Sequence, residues 1–464
     1  MGARAKDSDF VSTTFFGDML QTIADRGRAL IDRTRDRREV AQQRSASLVQ
    51  LCEELLSGRG EASGVALARE ILGRYFALTT GPRIAFFEAL ATRFGPDNDE
   101  LQAAIAAWQA APSDDTVAAV HHASEPRRQE LLRRLNLAPG GTSALVAMRQ
   151  DLIEHGGKDA DLASVEDDLV HLLYSWFNRG FLMMQRITWS SPADILERII
   201  RYEAVHMIQG WDDLRRRLQP SDRRCYAFFH PSLADEPLIF VEVALTKDIP
   251  SSIQAVLADD RKMLPAEEAT TAVFYSISNC QPGLRGISFG NFLIKQVVED
   301  LSRDLPSLKT FVTLSPAPGF GPWLKRAAAD ADGLGGDTTA LARLGTPDWH
   351  RDPTIAEQLR PLLLGLAAAY YLEAKAKNGQ PLDPVARFHL GNGARLERLN
   401  WLGDTSSKGL REAAGLMVNY LYDLNTIETN HEAFANQGVV AASPAIQRLL
   451  RDFPSAPTPE ARNV

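Results

Sequence analysis

Apolar residues recur at helical spacing through the first part of the chain. Phe16, Leu20 and Ile23 fall on one helical face, and so do Leu48, Leu51, Cys52 and Leu55. The periodic runs are interrupted at Ser57 to Gly64, Gly81-Pro82, Ala111 to Asp115 and Ala138 to Thr142, clusters of the residue types that end one helix and begin the next. Residues 10 to about 185 therefore read as an all-α bundle of about seven or eight helices. The pattern changes after Trp189 to Pro192. A helical segment from Ala193 to Leu218 leads into short, apolar, β-enriched runs at Arg223 to His230, Leu238 to Leu245, Thr270 to Ile277 and Thr310 to Leu314. Helical periodicity returns at 355–377 and 406–424. The expected fold class is α+β, with a helical domain over 1–190, a mixed α/β domain over 191–454, and a disordered tail at 455–464, where Ser455 to Ala461 is rich in proline and small residues.

Bulk properties narrow the class. A chain of 464 residues is too long for one ordinary core, so two domains are expected. Its net charge of −8 lacks the basic footprint of a nucleic-acid binder. The arginine-rich run Arg26 to Arg38 is interleaved with Asp25, Asp32, Asp36 and Glu39 and reads as a solvated helix face or a subunit contact. No apolar run reaches the about 18 residues of a membrane span, and the first residues lack the apolar core of a signal peptide. The three cysteines, Cys52, Cys225 and Cys280, are widely spaced, which favours a reducing cytoplasm over a disulfide framework or a zinc site.

Chemistry concentrates between Thr270 and Phe320. There an apolar strand gives way to a glycine turn, Gln281 to Asn291, containing Gly283, Gly286 and Gly290, and then to the amphipathic run Phe292 to Lys295. Glycines allow close approach of backbone to ligand, and free N–H groups at a helix start favour anions, so the turn is a candidate phosphate cradle. Arg285 and Lys295 would complement a pyrophosphate. Glycine turns of this kind are nevertheless common in α/β proteins, and a dinucleotide-binding Rossmann unit is disfavoured for want of surrounding βαβ units. Ser315 follows the next strand in Leu314 to Phe320, with Pro316 and Pro318 stiffening the exit. Such a serine is often only a turn former, and there is no Gly-x-Ser-x-Gly elbow to support a hydrolase triad. His389 sits between Phe388 and Leu390, just before Gly391-Asn392-Gly393; it reads either as a core residue or as a group that exchanges protons near neutral pH. His206 and His230 lie near the start of the α/β part. The neighbours His121 and His122 point in different directions on a helix and make a poor metal pair.

Several ordered motifs together resemble the malonyl-CoA decarboxylase family. They are Tyr202 to His206, Phe274 to Ser278, Gly283 to Gly286, Phe292 to Lys295, Leu314 to Phe320, Phe388 to Ala394 and Gly415 to Tyr420, with Asn136 to Thr142 and Met148 to Leu152 in the helical half. The resemblance covers most of the chain. It implies a helical domain used in homo-oligomer assembly, as a dimer or tetramer, and a catalytic domain similar to the GCN5-related N-acetyltransferase (GNAT) fold. It also implies that Arg285, Gly286, Ile287, Ser288, Phe289, Gly290 and Asn291 bind the acyl-CoA, and that Ser315 and His389 are the catalytic pair. The implied reaction, part of fatty acid metabolism, turns malonyl-CoA into acetyl-CoA and carbon dioxide with no metal and no cofactor beyond the coenzyme A thioester itself. An acyl-CoA-dependent acyltransferase and a non-catalytic malonyl-CoA-binding protein are the alternatives. No role is assigned to His206, His230 or Tyr420.

Overall fold

The structure, a computed structural model, describes residues 48–453 apart from 59, 158–159, 178, 234, 288–292 and 330–337. The expected helix at Phe16 to Ile23, the arginine run Arg26 to Arg38, and the tail at 455–464 lie outside the described residues. The chain divides into two compact units. One comprises Met1–Met183, Phe229–Leu238 and Gln281–Phe289; the other comprises Met184–Phe228, Ile239–Cys280 and Gly290–Val464.

The described part of the first unit contains eight helices: Leu48–Leu56, Glu61–Phe76, Thr80–Arg93, Asn98–Ala110, Asp114–Ser124, Arg127–Asn136, Gly141–His155 and Ala160–Trp176. The predicted stripe Leu51, Cys52 and Leu55 is buried, and it packs in one core with Leu67, Tyr75 and Phe87. Burial of such side chains contributes about 1.5–3 kcal/mol each. Helix starts follow the sequence punctuation. Asp97 accepts from the amides of Asp99 and Glu100, and Ser113 with Thr116 forms a capping box.

The second unit is built on an eight-stranded sheet: β1 Met183–Ile187, β2 Arg223–Phe229, β3 Pro237–Thr246, β4 Thr271–Asn279, β5 Thr310–Thr313, β6 Ser315–Pro316, β7 Arg395–Asn400 and β8 Met417–Leu421. The order is β1-β2-β3-β4-β5-β8-β6, with β7 paired to β8. β3 and β4 are antiparallel, with a bulge between Glu242 and Val243. β4 is followed along the chain by the glycine turn, the helix Leu293–Asp304 and β5, which pairs with β4 in parallel. The α+β class is as expected.

Four strands depart from expectation. β1 lies in the stretch read as helical to about 185. In 406–424 the helix covers only Ser407–Ala413, and Met417–Leu421 is a strand. The reason is burial: Met417 to Tyr420 are all buried, the polar Asn419 included, so the strand lacks the apolar–polar alternation that separates strand from helix. β6 is too short to show a period, and β7, Arg-Leu-Glu-Arg-Leu-Asn, hides its pattern among charges.

The sheet opens where the chemistry was expected. β4 and β5 pair from Thr271↔Thr310 to Phe274↔Thr313, and the Leu314 amide then donates to the Phe274 carbonyl at 2.9 Å. There the pairing ends. β4 continues to Asn279 against β3 alone, while the other chain moves to β6, where Ser315 is opposite Val418 of β8.

Candidate active site

Ser315 takes its position from a break in the β5–β8 ladder. Val312 pairs with Leu421 and Ser315 pairs with Val418, and side chains bridge the interval. Asn419, completely buried, donates from Nδ2 to the Thr313 carbonyl at 2.7 Å. Thr313 Oγ1 accepts from the Tyr420 amide at 3.1 Å and from Ser315 Oγ at 2.9 Å. The serine hydroxyl therefore sits at the end of a strand whose exit is fixed by hydrogen bonds as well as by its prolines. Pre-proline backbone restriction adds to this.

His389 reaches the same point from far along the chain. Its helix, Pro384–Gly391, starts on Asp383, whose Oδ1 accepts from the amides of Val385 and Ala386, both at 2.9 Å, with proline in the first turn. Asp383 Oδ2 turns to the other element and accepts from the Gly319 amide at 3.3 Å. One carboxylate thus ties the histidine's helix to the loop leaving Ser315. Burial pushes this carboxyl above its ordinary value, while the amides and the Tyr370 hydroxyl favour its charged form. Gly319 is required by space: an added Cβ would lie 2.2 Å from Tyr370 Oη.

The pair meets at hydrogen-bond distance. Ser315 Oγ lies 3.1 Å from His389 Nε2, and His389 Nδ1 lies 2.7 Å from Tyr422 Oη. Tyr420 stacks on the imidazole, with centroids 4.6 Å apart and an angle of 27° between the planes. Both residues of the pair are buried, Ser315 at 5% exposure and His389 at 2%. Among the described residues no charged group bonds to either. Burial pulls the imidazole down to about 3, so the ring is neutral near neutral pH. Burial also holds the Tyr422 hydroxyl well above its ordinary value, and it stays protonated. The hydrogen-bond pattern assigns the tautomer: Tyr422 O–H donates to Nδ1, Nε2–H donates to Ser315, and Ser315 O–H donates to Thr313. Such a row can orient an anion and pass a proton towards it.

The other predicted positions fall elsewhere. Arg285, Gly286 and Ile287 belong to the first unit, and Ser288, Phe289, Gly290 and Asn291 lie outside the described residues. Gly286 has a φ of +80°, the left-handed conformation that a glycine turn supplies. His206, in the second unit, is partly buried, with Nε2 enclosed and unpartnered, and burial lowers the ring to about 4. His230, in the first unit, is buried against Phe177, a packing role. His121 and His122 are exposed, and no metal-ligating cluster occurs among the described residues.

Sequence reasoning missed Thr313, Asp383, Asn419 and Tyr422. Asp383-Pro384 ahead of an apolar run is a legible helix start, which could have placed His389 on a helix. Tyr422 carries no such signal, because its partner is 33 positions distant and depends on the β8 register.

Family models match most of the chain. The "Malonyl-CoA decarboxylase C-terminal domain" model matches residues 180–458, and the "Malonyl-CoA decarboxylase N-terminal domain" model matches residues 94–177. The mitochondrial malonyl-CoA decarboxylase of Rattus norvegicus is 33% identical over 443 residues, covering 87% of this chain and 86% of that protein. The crystal structure of malonyl-CoA decarboxylase from Rhodopseudomonas palustris is similar with a TM-score of 0.84 and 59% identity, covering 86% of this chain and 98% of that one. The Agrobacterium vitis enzyme gives a TM-score of 0.84 at 57% identity, covering 87% and 100%.

Proposed function

The chain belongs to the malonyl-CoA decarboxylase family, and we propose that it converts malonyl-CoA to acetyl-CoA and carbon dioxide with Ser315 and His389 as its catalytic pair. The observation that carries the site assignment is the buried contact of 3.1 Å between Ser315 Oγ and His389 Nε2, beside the opening between β4 and β5.

Decarboxylation breaks the bond between C2 and the carboxylate carbon. Carbon dioxide leaves, and the bonding pair moves into the thioester carbonyl as an enolate. Hydrogen-bond donors aimed at that oxygen lower the barrier, and backbone N–H groups along the edge of β4 that β5 no longer covers are suited to the task. The breaking bond must stand out of the thioester plane. The Ser315 hydroxyl, released from Thr313, orients the carboxylate in that position. The enolate carbon then takes one proton, and His389 delivers it.

The neutral resting state of His389 fits this role. Desolvation alone depresses the ring, with no cation nearby to depress it further. A malonyl carboxylate entering the site places a negative charge beside the imidazole and favours its protonation. The proton taken up with substrate is then the one given to C2, which balances the reaction at one proton consumed per turnover.

The turn at Arg285, Gly286, Ile287, Ser288, Phe289, Gly290 and Asn291 is proposed to hold the coenzyme A pyrophosphate through backbone N–H groups. Assembly as a homo-oligomer, dimer or tetramer, is proposed for the helical unit. Helices Asn98–Ala110 and Asp114–Ser124 bury only Ala123 between them and leave Ile105, Trp108 and Val117 exposed, a pattern that favours a further contact. Among the described residues Cys52, Cys225 and Cys280 are buried and form no disulfide, which fits a reducing compartment, proposed as the cytoplasm.

The test is an assay of acetyl-CoA from malonyl-CoA with no amine or other acyl acceptor present. The wild type should form acetyl-CoA and carbon dioxide in equal amounts, and Ser315→Ala should lose about a hundredfold in kcat. Strict dependence on an added acceptor would replace this reading with an acyltransferase.

A further inference from the structure

One buried guanidinium holds the glycine turn. Arg149, on the helix Gly141–His155, is 4% exposed. Its Nη1 donates to the Gly283 carbonyl at 2.7 Å, and its Nη2 donates to the Arg285 carbonyl at 2.8 Å. Glu166 balances the charge, with Oε1 accepting from Nε at 3.2 Å and from Nη2 at 2.8 Å. All four residues lie in the first unit. The turn is pressed onto the same helix at Gly283, where an added Cβ would lie 2.0 Å from the Val146 carbonyl oxygen.

The peptide plane turns this anchoring into ligand chemistry. In a trans peptide the carbonyl of one residue and the N–H of the next point in opposite directions. With the Arg285 carbonyl drawn to Arg149, the Gly286 N–H faces the other way. Gly286 is exposed, and its N–H has no hydrogen-bond partner among the described residues. A free, outward N–H in a turn whose φ is +80° is the element from which backbone anion nests are made. Lysine could not reproduce the arrangement, since a point charge on a flexible stem lacks the planar fork that engages two carbonyls and a carboxylate together.

We propose that Arg149 is a positioning residue for substrate binding: from the helical unit it fixes the turn so that the Gly286 N–H is presented to the diphosphate of the coenzyme A thioester. This rests on the reading of that turn as the diphosphate cradle. Arg149 itself touches no substrate. Its effect should appear in KM for diphosphate-bearing substrates and not in the chemical step.

The experiment compares Arg149→Lys, Arg149→Gln, Glu166→Gln and Gly286→Val on two substrates, malonyl-CoA and malonyl-N-acetylcysteamine, the latter having no diphosphate. Arg149→Lys and Arg149→Gln should raise KM for malonyl-CoA about tenfold, the scale of one lost charge-assisted hydrogen bond, with kcat within about twofold. Their kcat/KM for malonyl-N-acetylcysteamine should equal that of the wild type. Glu166→Gln leaves both carbonyl bonds in place and should keep KM near the wild-type value. Gly286→Val strains the turn directly, at a position with nothing within 4 Å of an added Cβ, and should raise KM for malonyl-CoA independently of Arg149. If Gly286→Val raises KM while both Arg149 variants leave it unchanged, the role of Arg149 is overturned and the cradle stands. If all of these variants leave KM unchanged, the cradle itself is overturned. Equal loss on both substrates by the Arg149 variants would mean a merely structural arginine and would also overturn the proposal.

Discussion

The two regions proposed to carry chemistry are built in opposite ways. At Ser315 and His389 the proposed working groups are side chains, enclosed and joined in a row by hydroxyl and imidazole hydrogen bonds, with no formal charge bonded to either among the described residues. At the glycine turn the proposed working groups are backbone amides, and the side chain that matters, Arg149, stands behind them as a charged support. A desolvated neutral row is suited to moving a proton, because small changes in nearby charge shift its equilibrium strongly. A rigid backbone turn is suited to holding an anion that does not react. Changes in the first region should act on kcat, and changes in the second on KM.

The largest effect should come from the catalytic row as a unit. A Ser315→Ala/His389→Ala double variant should lose about 10²–10⁴-fold in kcat, and little more than His389→Ala alone, since the two residues serve successive steps and the slower step limits turnover. Full additivity in steady-state turnover would mean that the two residues act independently on one rate-limiting step. Tyr422→Phe comes next. It removes the donor to His389 Nδ1 and leaves a buried ring nitrogen unpaired, which costs about 1–3 kcal/mol and should lower kcat roughly tenfold at constant KM. An unchanged kcat would show that Tyr422 only packs.

Asp383→Ala tests how the row is held in place. It removes the cap of the histidine's helix and the tie to Gly319, and should lower unfolding free energy by about 1–2 kcal/mol in chemical denaturation. A further test of how the row is held varies pH. His389 titrates at about 3 in the folded chain against an ordinary value of 6.5, so the unfolded chain binds the proton first. The stabilisation is complete above about 6.5 and is lost progressively as pH falls towards 3. Denaturation midpoints should fall between pH 7 and pH 4, and a His389→Gln variant should show a shallower fall.

Legibility in the sequence followed the same division. Helices of the first unit such as Leu48–Leu56 were readable because they bury one stripe, and helix boundaries were readable from glycine, proline or a capping side chain, as at Ser113 and Asp97. The strand–turn–helix–strand order around Gly283 was readable from the same punctuation. β8 was not, because a strand covered on both faces shows no alternation. Ser315 and His389 came from resemblance to a family; by pattern alone one was a turn former and the other a core residue. What joins them, the Thr313 and Asn419 bridges and the Asp383 cap, depends on contacts up to 107 positions apart, and local sequence does not encode such pairings. Arg149 escaped notice for the same reason, since its carbonyl partners are 134 and 136 positions away.

The most direct measurement is the steady-state turnover of malonyl-CoA by His389→Ala, with kcat and KM determined separately and folding verified by thermal unfolding. A kcat reduced about 10²–10⁴-fold with KM within a few-fold of wild type is the predicted result. A folded His389→Ala protein with wild-type kcat would contradict the assignment of proton delivery to His389.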